Sequence, residues 1–100
     1  MVKHIVTWKF YDSAEGKTKE ENIEIVKNDL LSLKGVISEI KHIELGKDIS
    51  CTDASYDLVL VTDFENNEDL ESYRVHPEHQ KIAKYVAKVT SYRGVIDYNF

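Results

Sequence analysis

Apolar and polar positions alternate from the first residues of the chain. Val2, His4, Val6, Trp8 and Phe10 fall on one side, and Lys3, Ile5, Thr7, Lys9 and Tyr11 on the other. A period of two predicts a strand over residues 2–11. Residues 12–17 are polar and read as a loop. Thr18 and Glu21 then form a T-x-x-E capping box, and Ile23, Val26, Leu30 and Leu33 follow at helical spacing. Lys34 suits the negative end of that helix and Gly35 its C′ position. β-branched residues interleaved with Ser38, Glu39, Lys41 and Glu44 predict a second strand over 36–45, and 46–55 reads as a polar loop. The third predicted strand is 56–64. Its Val59-Leu60-Val61 centre is apolar on both faces, which puts it inside a sheet. Asn66 and Asn67 are competent caps for a short helix over 65–73. Pro77 restarts a helix through about residue 91, with Ile82, Tyr85, Val86 and Val89 on one side. A last strand covers 92–100.

The resulting order, β-α-β-β-α-β, is the ferredoxin-like α+β plan: a four-stranded antiparallel sheet with both helices on one face. The other face has no cover within the chain and still carries Ile5, Val59, Val61 and Val95. Apolar surface of that extent is seldom left wet, so pairing of two copies face to face is expected.

Composition narrows the picture. One hundred residues make a single domain, 1–100, with one modest core. The formal charge of −5 argues against nucleic acid, which needs a basic patch. No apolar stretch approaches the ~20 residues of a membrane span. The opening residues run into a strand pattern, not a signal peptide, so a cytoplasmic location is expected. Cys51, the one cysteine, lies in a polar stretch and reads as an ordinary reduced thiol.

The segment Tyr73-Arg-Val-His76-Pro77-Glu78-His79 holds a phenol, two imidazoles and a helix start in seven residues. These side chains move protons or bind metals near neutral pH. The bland readings stand beside that one. His76 before Pro77 suits an N-cap, His79 can pack against Tyr73 and donate to a backbone carbonyl, and His4 and Trp8 can be core residues. If the His79 helix covers the inward face of the first strand, His4, Tyr73 and His79 converge on one cleft. The partial positive charge of the helix start would then keep His79 neutral.

Several local features occur together: Val2-Lys-His4-Ile-Val, Gly46-Lys-Asp48-Ile-Ser50, Tyr56-Asp57, Tyr73-x-x-His76-Pro77-x-His79 and Asp97-Tyr98. In this combination the chain resembles the stress-responsive A/B barrel (Dabb) family of dimeric α+β barrels over essentially its whole length. The resemblance implies a homodimer whose two sheets close into a shared barrel. One plant member is a polyketide cyclase that closes a ring by aldol condensation. Its proposed catalytic Tyr and His correspond to Tyr73 and His79, and a pocket His corresponds to His4. A further pocket His of that enzyme falls at Leu58 here, a departure that bears on substrate. Some plant relatives are associated with magnesium.

The expected ligand-lining set is therefore His4, Val6, Trp8, Leu58, Tyr73 and His79. The first reading is a homodimer that holds a small apolar or carbonyl-containing molecule between sheet and helices, without an assigned reaction. The alternatives are a cofactor-free lyase or cyclase, with His79 as general base and Tyr73 as donor, and a purely structural oligomer. No cofactor is expected. Haem-degrading barrels share the architecture but not their Asn-Trp-His set. His76 and His79 are three apart but need not share a helix face, which weakens zinc. Magnesium prefers oxygen ligands, for which Asp48 and Asp53 are the loose candidates.

Overall fold

The computed structural model describes all residues, 1–100. Four strands form one antiparallel sheet: β1 (Val2–Phe10), β4 (His42–Lys47), β5 (Leu58–Phe64) and β6 (Thr90–Asn99), in the order β4-β5-β1-β6. A two-stranded hairpin, β2 (Ser13–Ala14) and β3 (Lys17–Thr18), follows β1. Helices α1 (Lys19–Ser32), α2 (Asn67–Val75) and α3 (Pro77–Val89) complete the ferredoxin-like arrangement. The alternation in β1 is strict: every even residue from Val2 to Phe10 is buried. β5 lies inside the sheet between β1 and β4.

The capping box closes as expected. Glu21 N donates to Thr18 Oγ1 at 3.2 Å and Thr18 N to Glu21 Oε1 at 3.1 Å. Ile23, Val26, Leu30 and Leu33 face the core. Glu15 and Gly16, both at positive φ, make the tight turn of the β2–β3 hairpin, inside the stretch read as a loop.

Three expectations are corrected. The second strand covers His42–Lys47, not 36–45. Residues 33–35 form a 3₁₀ turn after α1, and Val36 and Ile37 continue it with N–H bonds to the Leu33 carbonyl. Ile37 and Ile40 are buried there at a spacing of three, which the interleaved polar residues disguised as a strand. Gly35 ends that turn without the left-handed conformation expected at C′, since Gly16 is the glycine at positive φ. Val95 is on the helix face of the sheet, because its register partner is the inward Val6. The outward residue of β6 at this level is Ile96, paired with Ile5.

The sheet therefore has two unlike surfaces. The covered one packs Val6, Trp8, Leu58 and Leu60 against α1 and α3. The open one carries Ile5, Val59, Val61, Ile96 and Tyr98, with Ile96 58% and Tyr98 43% exposed. No helix is long and apolar enough to cross a membrane.

Candidate functional site

β1 brings His4, Val6 and Trp8 to the covered face at successive inward positions. Asn66 caps α2 by accepting from Asp69 N at 2.9 Å, and the last turns of that helix drive Tyr73 into the core, where it is fully buried. His76 then ends α2 and caps α3: its Nδ1 accepts from Glu78 N at 3.1 Å. Pro77 takes the first position of α3, and His79 points back over Tyr73. The Tyr73 ring lies 4.4 Å from the His79 ring, 5.1 Å from Phe64 and 6.1 Å, edge-on, from His4.

A hollow of about 250 Å³ opens beside this stack. Five of the six expected lining residues, His4, Val6, Trp8, Tyr73 and His79, bound it, together with Leu60, Ile82 and Val86. Leu58 does not line it; that side chain is core-buried further along the sheet, opposite Trp8. A second hollow of about 320 Å³ shares His4, Tyr73, His79 and Arg93 and adds Arg74, Val95 and Asp97.

Hydrogen bonding sets the proton positions. His4 Nδ1 is 2.5 Å from Asp97 Oδ1, its neighbour across β1 and β6. A carboxylate only accepts, so Nδ1 carries the proton. Asp97 also accepts from Arg74 Nη2 at 2.7 Å. His79 Nδ1 lies 3.2 Å from the Arg74 carbonyl oxygen. That oxygen likewise accepts, which leaves His79 Nε2 as the unprotonated nitrogen of the neutral ring. Burial pushes the His79 pKa down, against the Arg74 carbonyl that raises it, with His4 and both arginines adding smaller depressions. Burial is thus the leading cause that holds the His79 pKa low. His4 is also pushed down by burial, against the opposing pull of Asp97. Burial raises the Tyr73 pKa, so the phenol keeps its proton. The Tyr73 hydroxyl makes no hydrogen bond, to His79 or to anything else, and Trp8 Nε1 is equally without a partner.

Asp97, Arg74 and Arg93 escaped the sequence reading as site residues. The signal available was parity: Arg93, Val95 and Asp97 share the inward side of β6.

A family model described as the stress responsive A/B barrel domain (Dabb) matches residues 2–100. The chain belongs to this family. A protein from Bacteroides fragilis, described as dimeric, ferredoxin-like and of unknown function, is 31% identical, with 99% of this chain and 95% of that one covered and a TM-score of 0.83. At3g17210 from Arabidopsis thaliana is 28% identical over 99% of this chain and 94% of its own, with a TM-score of 0.83. Hydroxynitrile lyase from Passiflora edulis shares the fold at 18% identity, covering 97% and 90% of the two chains, with a TM-score of 0.82. No curated protein is a significant match to the chain.

The acidic loop considered for magnesium does not suit that ion. Asp48 Oδ2 is engaged by Cys51 N at 2.8 Å, and Lys9, Lys19 and Lys47 line the same groove. No group of three or more His, Cys, Asp or Glu side chains is arranged as a metal-ligand cluster. His76 Nδ1 and His79 Nδ1 are each bonded to a different backbone group.

The two depressed imidazoles make stability depend on pH. The folded chain holds them neutral, while the unfolded chain takes up protons below about pH 6.5. More protons on the unfolded state means stability falls as pH drops through that value. The urea midpoint is expected to be lower at pH 5.5 than at pH 7.5. The His4→Gln/His79→Gln double variant is expected to flatten that slope. An unchanged slope in the variant would assign the dependence to other groups.

Proposed function

We propose that the protein is a homodimer that binds a small, mostly apolar, carbonyl-bearing molecule in the hollow between sheet and helices. One observation carries this reading: Trp8 Nε1 and Tyr73 Oη are buried donors without a protein partner, on residues that line the same apolar hollow. A buried donor left unpaired costs about 1–3 kcal/mol. A carbonyl oxygen can accept from either donor, or from both through its two lone pairs. The aliphatic walls suit the remainder of such a ligand. A volume of about 250 Å³ falls below the ~300–1,000 Å³ of drug-sized sites, which favours a short chain or a single ring.

Trp8 is the one tryptophan of the chain, so its indole N–H is a built-in reporter. Titration with 2-heptanone is expected to shift the Trp8 Nε1–H resonance saturably. Ala83 of α3 also lines the hollow, and Ala83→Phe, which would fill it, is expected to abolish that shift. A linear drift, or saturation that survives Ala83→Phe, would remove the binding reading.

A second reading, proton abstraction next to the carbonyl, is favoured by the pinned tautomer of His79. Its Nδ1–H is held by the Arg74 carbonyl, so Nε2 is the nitrogen able to take a proton. The Tyr73 hydroxyl would donate to the oxygen on which the enolate charge develops. Deuterium exchange of the ketone α-protons in D₂O tests it. Exchange above the background rate, lowered about 100-fold by His79→Gln, is the expected outcome. A rate equal to background leaves binding without this chemistry.

The dimer rests on the open sheet face and on relatives described as dimers. Light scattering is expected to give twice the 11.6 kDa chain mass, and Ile96→Lys, which sets a charge in the middle of that face, is expected to give the monomer. A wild-type chain that stays monomeric at high concentration would refute this assembly.

A further inference from the structure

Arg93 is inward-facing on β6, directly across from Trp8 in the register of the sheet. It is a lining residue of both hollows that meet at the Tyr73 stack. Its neighbour Arg74 is occupied: Asp97 Oδ2 accepts from it at 2.7 Å and Glu71 Oε1 lies 3.6 Å away. Arg93 has neither an ion pair nor a side-chain hydrogen bond. Arg93 is solvent-exposed on the edge strand β6, so its guanidinium is open to a ligand.

Arg74 lies between the carboxylates of Asp97 and Glu71, and Arg93 is paired with neither. The Arg93 guanidinium stands at the mouth of an apolar space lined also by Trp8 and Tyr73, each of which has an unpartnered donor. A guanidinium offers a planar fork of N–H groups that matches a carboxylate and is less strongly hydrated than an ammonium.

We infer that the molecule held in this hollow is a small carboxylate, with its anionic end on Arg93 and its apolar body against Leu60, Ile82 and Val86. The inference rests on the binding reading above and narrows it to one ligand class. A keto acid would meet every feature at once, its carboxylate on Arg93 and its ketone oxygen within the donor field of Trp8 and Tyr73.

Heptanoate and heptanamide test this, since they have nearly the same shape and differ in charge. Binding is read at the Trp8 indole N–H at pH 7.5, in wild type and in Arg93→Gln. Wild type is expected to bind heptanoate roughly tenfold tighter than heptanamide, the scale of a charge-assisted over a neutral contact. Arg93→Gln is expected to erase that preference, and a saturable heptanamide shift in the variant reports an intact hollow. Equal affinities in wild type, or a preference that survives Arg93→Gln, overturns the carboxylate assignment and leaves the binding reading standing. Failure of heptanoate, heptanamide and 2-heptanone alike to bind saturably overturns both.

Discussion

The pairing of His4 with Asp97 across β1 and β6 is the contact on which the site depends. A histidine so nearly buried is tolerated because its Nδ1–H is hydrogen-bonded to a carboxylate. The same carboxylate holds Arg74, and the Arg74 backbone carbonyl holds His79. One cross-strand contact therefore links an inner strand, an edge strand and both C-terminal helices. It also fixes the register of β6, because a slip of one residue would turn Asp97 to the open face and bring Ile96 or Tyr98 against the helices. The Tyr73 ring is trapped in the middle of this linkage, between two imidazoles whose orientation is set from outside.

How legible this was varied with what each residue had to satisfy. The inward face of β1 could be read from residues 2–10 because burial alone decides it. The Thr18–Glu21 cap could be read because two side chains close a local ring. His76 as the cap of α3 followed from its place before Pro77. The stretch 36–41 misled for a definite reason: Ile37 and Ile40 are core residues of an irregular turn, and a spacing of three set among polar residues imitates alternation over so short a span. β6 misled for a different one. Its inward positions are Arg93, Val95 and Asp97, so the rule that the buried side is the apolar side fails there. It fails because the positions face a hollow and a histidine instead of a packed core. The residues hidden from pattern reading are thus those that give the site its charge.

Tyr73 combines a packing role with a polar group that the fold leaves unpaired. Its ring is enclosed by Phe64, His4 and His79, and phenylalanine would fill that volume equally well. The hydroxyl adds nothing to the fold, since it is bonded to no protein group, and burying it unpaired is destabilising. The same holds for Trp8 Nε1. Two residues with such groups line one hollow, next to two rings that keep an unprotonated nitrogen at neutral pH, and make a polar corner in an otherwise aliphatic space. Small-molecule sites are built in this way, with apolar walls and a few fixed polar groups.

The sheet separates two tasks by face. Its open side carries apolar groups over β1, β5 and β6, with Lys3 and Lys9 extended over Phe100, Tyr56 and Tyr92. Contacts there are non-directional and favour a flat partner. Its covered side carries the directional chemistry. Because side chains on a strand alternate, residues of β1 serve both tasks without competing: Ile5 and Thr7 face out where His4, Val6 and Trp8 face in. A second copy docked on the open face would stiffen β1 and β6 from behind and hold the His4–Asp97 spacing while leaving the hollow and its Arg93 mouth free. Pairing of two sheets is thereby compatible with ligand entry from the helix side, and it would add rigidity to the two strands that orient the polar corner.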